Sequence, residues 1–373
     1  MKKYFIYLFL SVFLVIITGC GITRADDVIG TFEKKLNKIN SYYIEGIMQI
    51  INNEDTYDYD VKVSYQKEDY YKIELTNTLN NHEQIILRND EGVYVITPSL
   101  NKSFKFQSDW PYNNSQVYLL TSILEDLKED EKRTFEQTDK GYIFTSTVNY
   151  PNNKDLSKQN IYIENDGKIK KVEVTDKDNN ALIVMNYNKI EYDKKFDKNY
   201  FALNTILKPT EETQDKELNN NTTKEEKPTT KENNNTEEEK TTNQETNIPT
   251  EENNNTETTA SIEDIIYPMY LPENTYLTNQ EKINTDTGER LILTFGGENS
   301  FTLVEETINK SSENIPIPVN GDFDFLTDVI GIIDTNSVMW HNNGIEYYMT
   351  SNTLPTSVLI DIARSISVLP VSK

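Results

Sequence analysis

The stretch Gln84–Leu127, QIILRNDEGVYVITPSLNKSFKFQSDWPYNNSQVYLLTSILEDL, decides the fold of this chain. Apolar runs separated by turn-forming residues predict three short strands at 84–88, 93–97 and 103–107. A Trp-Pro corner follows, and then a helix at 115–127 that Asn114 or Ser115 can cap. The apolar residues of this helix share one face: Val117, Leu120, Leu124 and Leu127. A helix within a run of antiparallel strands indicates a sheet with one face to cover.

Similar patterns extend in both directions from this stretch. A short helix is predicted at 26–39, and strands follow it at 42–51, 56–65 and 70–76. Beyond the central helix, turn-forming residues predict further hairpins. Residues 26–207 therefore predict a mainly β domain of the α+β class. We expect one curved antiparallel sheet, an open half-barrel, with helices on its concave face.

Residues 208–260 differ in composition from the rest of the chain. Thr, Asn, Glu and Lys dominate and apolar residues are almost absent, which predicts a disordered polar linker. Residues 261–373 then predict a second, smaller α+β domain, with two hairpins and a last helix that Pro355 opens. Because the linker separates the two domains, we expect them to fold independently.

The N-terminus carries the pattern of a bacterial lipoprotein. Two lysines precede an apolar run at 4–17 that is too short for a stable transmembrane helix. The run ends in Ile17-Thr18-Gly19-Cys20, which is typical of a lipobox. We predict a signal peptide at 1–19, a diacylglycerol on Cys20 and a lipidated tether at 20–25; the alternative is an ordinary secretory signal with a chance cysteine. Two acyl chains suffice to hold a protein on the extracytoplasmic face of the cell membrane.

The charge and the cysteine count narrow the possible partners. The formal charge of -24 argues against nucleic acid, which binds clustered Lys and Arg. Cys20 is the single cysteine of the chain, so its use as a lipid anchor leaves no thiol for a disulfide.

The order of the predicted elements resembles the LolA-like fold, which lipoprotein carriers share with the RseB/MucB regulators of extracytoplasmic stress. The carriers have an Asp-Gly-x-x-aromatic-x-x-x-Pro run at a paired strand. Here Asp90, Gly92, Tyr94 and Pro98 occupy a similar run with one extra residue. This resemblance covers residues 26–207. It implies a carrier or sensor that binds lipid or lipoprotein on the concave face, or a regulator that binds an anti-sigma factor.

Two further resemblances concern the lipobox and the C-terminal part. The lipobox together with SDWPYNNSQVYLL at 108–120 is similar to the clostridial germination lipoproteins called GerS and their relatives. That resemblance implies partnership with a spore-cortex amidase rather than catalysis, in sporulation or germination. Residues 261–373 resemble the domain of unknown function 4367, through Tyr270-Leu271-Pro272-Glu273, Met339-Trp340 and Ile362-Ala363-Arg364-Ser365-Ile366.

An aromatic set around the Trp-Pro corner is the candidate surface for a partner or an apolar ligand. Its members are Trp110, Pro111, Tyr112, Tyr94, Phe104 and Phe106, with Leu120 and Leu124 on the neighbouring helix. The alternative is core packing, since aromatic residues fill cores as well as interfaces. The functional interpretation requires an incompletely covered concave face, with room for an acyl chain or a partner's apolar segment. We expect Trp110 and Tyr112 to form a partly exposed anchor, because Pro111 fixes the chain in an abrupt corner.

No motif in the sequence predicts catalysis, a metal site or a cofactor. His-Glu-x-x-His, Gly-x-Ser-x-Gly and phosphate-binding glycine loops are absent from the sequence. His82 and His341 fall in turn-like surroundings, where we expect both to be solvated, and Asn320–Asp324 predicts an acidic turn. We therefore predict a non-enzymatic, membrane-anchored envelope lipoprotein that binds a protein partner. The lipid carrier or sensor and the anti-sigma-binding regulator are the alternatives.

Overall fold

The computed structural model describes residues 24–52, 55–207, 262, 265–286, 288–309 and 315–366. The predicted signal peptide, the lipidated Cys20 and the linker at 208–260 lie outside the described residues. The described residues form an N-terminal unit at 24–207 and a C-terminal unit at 262–366, each built around an open β-sheet. In this part of the chain, no helix combines the length and the apolar composition needed to cross a membrane.

The N-terminal unit contains helices α1 (Ala25–Lys38) and α2 (Leu120–Glu129) and ends with the short helix α3 (Leu203–Ile206). Its strands are β1 Ser41–Asn52, β2 Asp55–Gln66, β3 Tyr70–Asn77, β4 Glu83–Asn89, β5 Gly92–Thr97, β6 Lys102–Phe106, β7 Thr134–Thr138, β8 Gly141–Thr147, β9 Lys158–Glu164, β10 Ile169–Thr175 and β11 Ala181–Tyr192. These strands pair antiparallel in the order β6-β5-β4-β3-β2-β1-β11-β10-β9-β8-β7. The prediction of a mainly β unit with one open antiparallel sheet is confirmed.

Both faces of this sheet are covered. The inner face, defined as the one that carries α1 and α2, buries the strand residues Ile44, Met48, Val61 and Ile73 against the helices. On the outer face, the segment after β11 covers alternate residues of β4 and β5 with Phe201 and Leu207. The apolar residues of β5 are buried on both sides, as expected for a strand covered on both faces.

Helix α2 begins at Leu120 and not at residue 115. Residues 115–119 form an irregular segment before it, because the hydroxyl of Ser115 is used in tertiary contacts. Its Oγ donates to Asp126 Oδ1 at 3.0 Å and accepts the Asn149 N–H at 2.9 Å. The predicted capping residue therefore binds a side chain inside the helix instead of the first turn.

The C-terminal unit has an open sheet of seven strands in the order β12-β13-β14-β19-β18-β17-β16. Its strands are β12 Thr275–Thr285, β13 Gly288–Gly297, β14 Phe301–Thr307, β16 Asp322–Phe325, β17 Ile330–Asp334, β18 Ser337–Asn342 and β19 Ile345–Thr350. Helix α4 (Thr356–Arg364) follows Pro355 and packs on the sheet with its buried apolar residues. The predicted α+β architecture of this unit is confirmed.

One further strand, β15 (Ile317–Val319), leaves the C-terminal unit and joins the sheet of the N-terminal unit. It pairs parallel with β6, with Ile317 opposite Phe104 and Val319 opposite Phe106. The structure packs the second unit against the inner face of the first. That the two units fold independently stays a prediction. A polar linker separates the units along the chain, but it does not prevent them from meeting in space.

Substitution of Leu120 by alanine should lower the free energy of unfolding by about 2–5 kcal/mol, because the truncation leaves a cavity under α2. Leu120 is fully buried, whereas Leu79, the matched control, is 66% exposed. Leu79→Ala should change the free energy by less than about 0.5 kcal/mol. Equilibrium denaturation in urea measures both values. Equal effects of the two substitutions would contradict the packing described for α2.

Candidate functional site

The structure divides the predicted aromatic set between the two faces of the sheet. Phe104, Phe106 and Trp110 belong to the core cluster of the inner face and are almost completely buried. Tyr94 lies on the outer face beside Phe201, because neighbouring residues of a strand point to opposite sides. The set therefore does not form one surface, and Tyr94 takes no part in the inner-face cluster.

Trp110 is buried at the contact between the two units. Its ring stacks on Tyr71 at a centroid distance of 4.9 Å and lies 5.7 Å from the ring of Phe323. The structure corrects the expectation that Trp110 is partly exposed: it is 4% exposed because the C-terminal unit covers it. Pro111 is half-buried, and Tyr112, which is 44% exposed, is the member of the corner that solvent reaches most readily.

The helix residues of the predicted set, Leu120 and Leu124, are buried beneath α2 and contribute packing. Beside the aromatic cluster remains a cavity of about 40 Å³, lined by Met48, Tyr118 and Phe325 among others. This volume suits about one water molecule. Pockets for drug-sized ligands measure about 300–1,000 Å³, so this cavity is too small for an acyl chain. A neighbouring cavity of about 440 Å³, lined by Tyr150, Leu182, Phe325 and Arg364 among others, is within that range.

Residues 317–325, called the inserted segment below, extend the sheet edge at β6 with their first part and, after a turn at Gly321, pack on the inner face with their second part. After the parallel pairing of β15 with β6, the N–H of Gln107 donates to the Val319 carbonyl at 3.0 Å. The hydroxyl of Ser108 then donates to the Gly321 carbonyl at 2.8 Å. The N-terminal unit thus binds the main chain of the inserted segment as well as its side chains.

Two phenylalanines of the inserted segment pack among aromatic residues of the N-terminal unit. Phe323 lies 5.7 Å from the ring of Phe106, besides its contact with Trp110. Phe325 lies 6.4 Å from the rings of both Tyr59 and Tyr118. Edge-to-face and tilted pairs at these distances are favourable beyond the area that they bury.

A buried amide fixes the position of the chain just beyond the inserted segment. The N–H of Ile330 donates to Gln84 Oε1 at 2.6 Å, and Gln84 Nε2 donates to the Ile330 carbonyl at 3.2 Å. The hydroxyl of Tyr59 donates to the Thr327 carbonyl at 3.3 Å. Because buried main-chain groups need partners, these side chains allow an irregular part of the C-terminal unit to be buried.

The structure corrects the prediction that His341 is solvated. This residue is 3% exposed on β18, where its ring lies 5.0 Å from Phe104. Its Nε2 is 2.8 Å from Glu346 Oε2, which also accepts from Lys102 Nζ at 3.4 Å. Burial lowers the pKa of His341. The hydrogen bond with Glu346 has a smaller effect in the opposite direction. His82 is partly buried, and burial together with the charge of His341 lowers its pKa.

Charges at the interface are paired. Burial raises the pKa of Glu346, but the hydrogen bond and charge of His341 and the charge of Lys102 bring it down to about 2. Arg364 donates to the Phe325 carbonyl at 3.2 Å. Burial raises the pKa of Asp324, and the charge of Arg364 partly offsets this increase. In the described part of the chain, no group of three or more His, Cys, Asp or Glu side chains is placed to hold a metal ion.

Sequence reasoning missed the residues that carry this interface, above all Phe323, Phe325 and Gln84. A weak signal was present, since Asp322-Phe323-Asp324-Phe325 alternates with the period of a strand. The predicted acidic turn at 320–324 is only half right: Gly321 turns the chain, but β16 begins at the next residue. The partner of this short strand cannot be read from local sequence.

The fold and the interface define a mainly β protein of two units, in which an aromatic sheet face holds an extended segment. Residues 1–201 match the family described as sporulation protein YdcC-like. The chain is 30% identical over 369 residues to sporulation protein YdcC of Bacillus subtilis strain 168. The alignment covers 98% of this chain and 97% of that protein. The chain belongs to the YdcC-like sporulation protein family. The predicted setting in sporulation is confirmed at the level of the family, and the domain of unknown function 4367 stays a prediction.

Several solved structures are similar to this chain. A complex of MucA and MucB from Pseudomonas aeruginosa is 9% identical, covers 91% of this chain and 97% of that chain, and gives a TM-score of 0.32. The structure of the GerS lipoprotein of Clostridioides difficile with the CwlD amidase is 18% identical, and the match covers 46% of this chain and 98% of that chain with a TM-score of 0.29. A LolA superfamily protein from Nitrosomonas europaea is 10% identical, and the match covers 48% of this chain and 98% of that chain with a TM-score of 0.29. At these TM-scores the comparisons say nothing about function.

Substitution of His341 by glutamine should reduce the loss of stability on acidification. The pKa of buried His341 lies below the value of about 6.5 in the unfolded chain, so unfolding takes up a proton below that pH. The free energy of unfolding should therefore fall more steeply in the unmodified chain than in His341→Gln between about pH 7 and pH 5, by at most about 1.4 kcal/mol per pH unit.

Two other carboxyl groups at this interface are common to both chains: burial raises the pKa of Asp324 and of Asp328, which acts in the opposite direction and cancels in the comparison. Glu346 and His82 interact with His341, which lowers the pKa of both, so their contribution belongs to the measured difference. Chemical denaturation at a series of pH values measures the two slopes. Parallel profiles would show that His341 does not titrate differently on unfolding.

Proposed function

We propose that this protein is a non-enzymatic lipoprotein of the cell envelope that binds a protein partner through the inner face of its N-terminal unit during sporulation. The observation that supports this proposal is the inserted segment. It shows that the inner face can hold an extended polypeptide by main-chain pairing at β6 and by aromatic contacts. Strand addition to a sheet edge, with side chains in pockets, is a recurrent means of peptide recognition.

The chemistry of the inner face favours a polypeptide over an acyl chain. The Gln107 N–H and the Ser108 hydroxyl both donate to main-chain carbonyls, and Gln84 both donates to and accepts from a main-chain amide. Of these groups the Gln84 amide is buried, whereas Gln107 is exposed and Ser108 is partly buried, so solvent can reach both. An acyl chain has no group that could pair with Gln84, and leaving its buried amide unpaired costs about 1–3 kcal/mol.

Anchoring through Cys20 is part of the proposal. Helix α1 begins at Ala25, so a lipid on Cys20 would hold the N-terminal unit close to the membrane surface. The partner would then be another protein of the envelope. The similarity of residues 108–120 to the GerS lipoproteins makes a spore-cortex amidase the first partner to test.

A photoreactive phenylalanine analogue at Tyr112 should capture the partner in membranes of sporulating cells. Tyr112 is 44% exposed and adjoins Trp110, so its side chain can reach a molecule at the edge of the inner face. Tyr276, which is 61% exposed on β12 of the other unit, is the matched control position. Mass spectrometry of the cross-linked product identifies the captured molecule.

We expect a discrete protein adduct at position 112 and none at position 276. A lipid as the sole adduct at position 112 would instead support the carrier or sensor. Identical adducts at both positions, or none at either, would contradict a partner site on the inner face.

Cys20→Ser should abolish lipidation, because the serine hydroxyl does not replace the thiol that carries the diacylglycerol. Growth with labelled palmitate followed by immunoprecipitation measures the lipid, and fractionation locates the protein. We expect no label and loss from the membrane fraction or accumulation of the uncleaved precursor. Label in the variant equal to that in the unmodified chain would refute the lipobox.

A further inference from the structure

The inserted segment connects the two sheets of the molecule. Its first part, β15, is an edge strand of the N-terminal sheet, and its second part, β16, is an edge strand of the C-terminal sheet. Gly321 makes the change of direction between them with a φ of 80°. A Cβ at this position would lie 1.9 Å from the carbonyl oxygen of Ile333, so only glycine fits there.

The attachment of the inserted segment to the inner face is short. Strand β15 has 3 residues, and its pairing with β6 is parallel, whereas the other described strand pairs of this sheet are antiparallel. Parallel pairing is slightly less stable per residue than antiparallel pairing. Ile317 is 41% exposed, and Phe323 and Phe325 are only half-buried. Replacement of this segment by another requires the C-terminal unit to undock, with loss of the apolar contacts of Ile330 and Ile332 and of the two Gln84 hydrogen bonds.

We propose that the inserted segment is an internal occupant of the partner site, and that the partner replaces it with an extended segment of similar chemistry. That segment pairs an apolar strand with β6 and then presents two aromatic side chains at positions i and i+2. The inference rests on the proposed function and specifies which kind of partner the inner face recognises.

The N-terminal unit sets these requirements. Two aromatic sites two residues apart receive side chains from the same side of an extended chain, because side chains of a strand alternate. One site is formed by Phe106 and Trp110, and the other by Tyr59 and Tyr118. Between them and β6, the hydroxyl of Ser108 lies 2.8 Å from the main-chain carbonyl of Gly321 and 3.4 Å from Asp322 Oδ1.

The charges at the edge of the site favour an acidic partner segment. Lys102 on β6 is paired with Glu346 of the C-terminal unit at 3.4 Å. Departure of that unit would leave Lys102 without this carboxylate. A carboxylate on the incoming segment that takes the position of Glu346 would restore the ion pair.

A labelled peptide with the chain's own sequence IPIPVNGDFDFL, residues 315–326, tests the inference on the full-length protein. We compare the unmodified chain with two variants that weaken the internal occupant, Phe323→Ala/Phe325→Ala and Val319→Asp. Val319 packs partly on the inner face and lies outside the seven-stranded sheet, so this variant keeps the test valid if the double variant fails to fold.

The peptide should bind at least about tenfold more tightly to both variants, because the fraction of molecules with a free site rises. Tyr276→Ala, on the exposed strand β12, is the control and should bind like the unmodified chain. A peptide with both phenylalanines replaced by alanine should not bind to any chain. Equal affinity for the unmodified chain and the variants, or no binding to a folded variant, would overturn the inference.

Photo-capture at Tyr112, repeated in Val319→Asp, separates this inference from the proposed function. We expect more of the same adduct when the internal occupant is weakened. An unchanged yield would overturn the inference but leave the proposed function intact, whereas loss of the adduct from every chain would refute the proposed function itself. Dimerisation of the unmodified chain that Val319→Asp abolishes would assign the site to a second copy and also overturn the inference.

Discussion

The pairing of β15 with the edge strand β6 determines how the two units of this protein are arranged. An edge strand presents unpaired N–H and C=O groups, and β6 also carries Phe104 and Phe106 on the inner face. Left open, such an edge would invite pairing with another chain. The C-terminal unit covers it with three residues and then continues across the inner face, so the same segment closes the edge and fills the aromatic cluster.

The burial of Trp110 is shared between the two units. Trp110 stacks on Tyr71 of its own unit and contacts Phe323 of the other, so it belongs both to the core and to the contact between the units. The burial of Trp110 therefore measures the docking of the C-terminal unit as much as the folding of the N-terminal unit.

Much of the architecture could be predicted from the sequence, because burial on one side of a strand or helix leaves a local period. Strands β1 to β3 and helix α1 follow that period, β4 and β5 are continuous apolar runs between turn residues, and α4 follows the proline that opens it. Strand β12 escaped prediction because it is exposed on both faces and has no alternation. The start of α2 and the burial of His341 depend on contacts with Asn149 and Phe104, which are distant along the chain and which no local pattern reveals.

The docking of the two units could not be predicted either, because the residues that form it are far apart along the chain. Residues more than 200 positions apart form it, as in the bonds between Gln84 and Ile330. Partly buried ion pairs such as Lys102 with Glu346 contribute little net stability, since desolvation offsets their attraction, but they penalise misplaced registers. Docking is then stabilised by aromatic contacts, by main-chain hydrogen bonds and by Ile330 and Ile332, which are buried in the core cluster of the N-terminal unit.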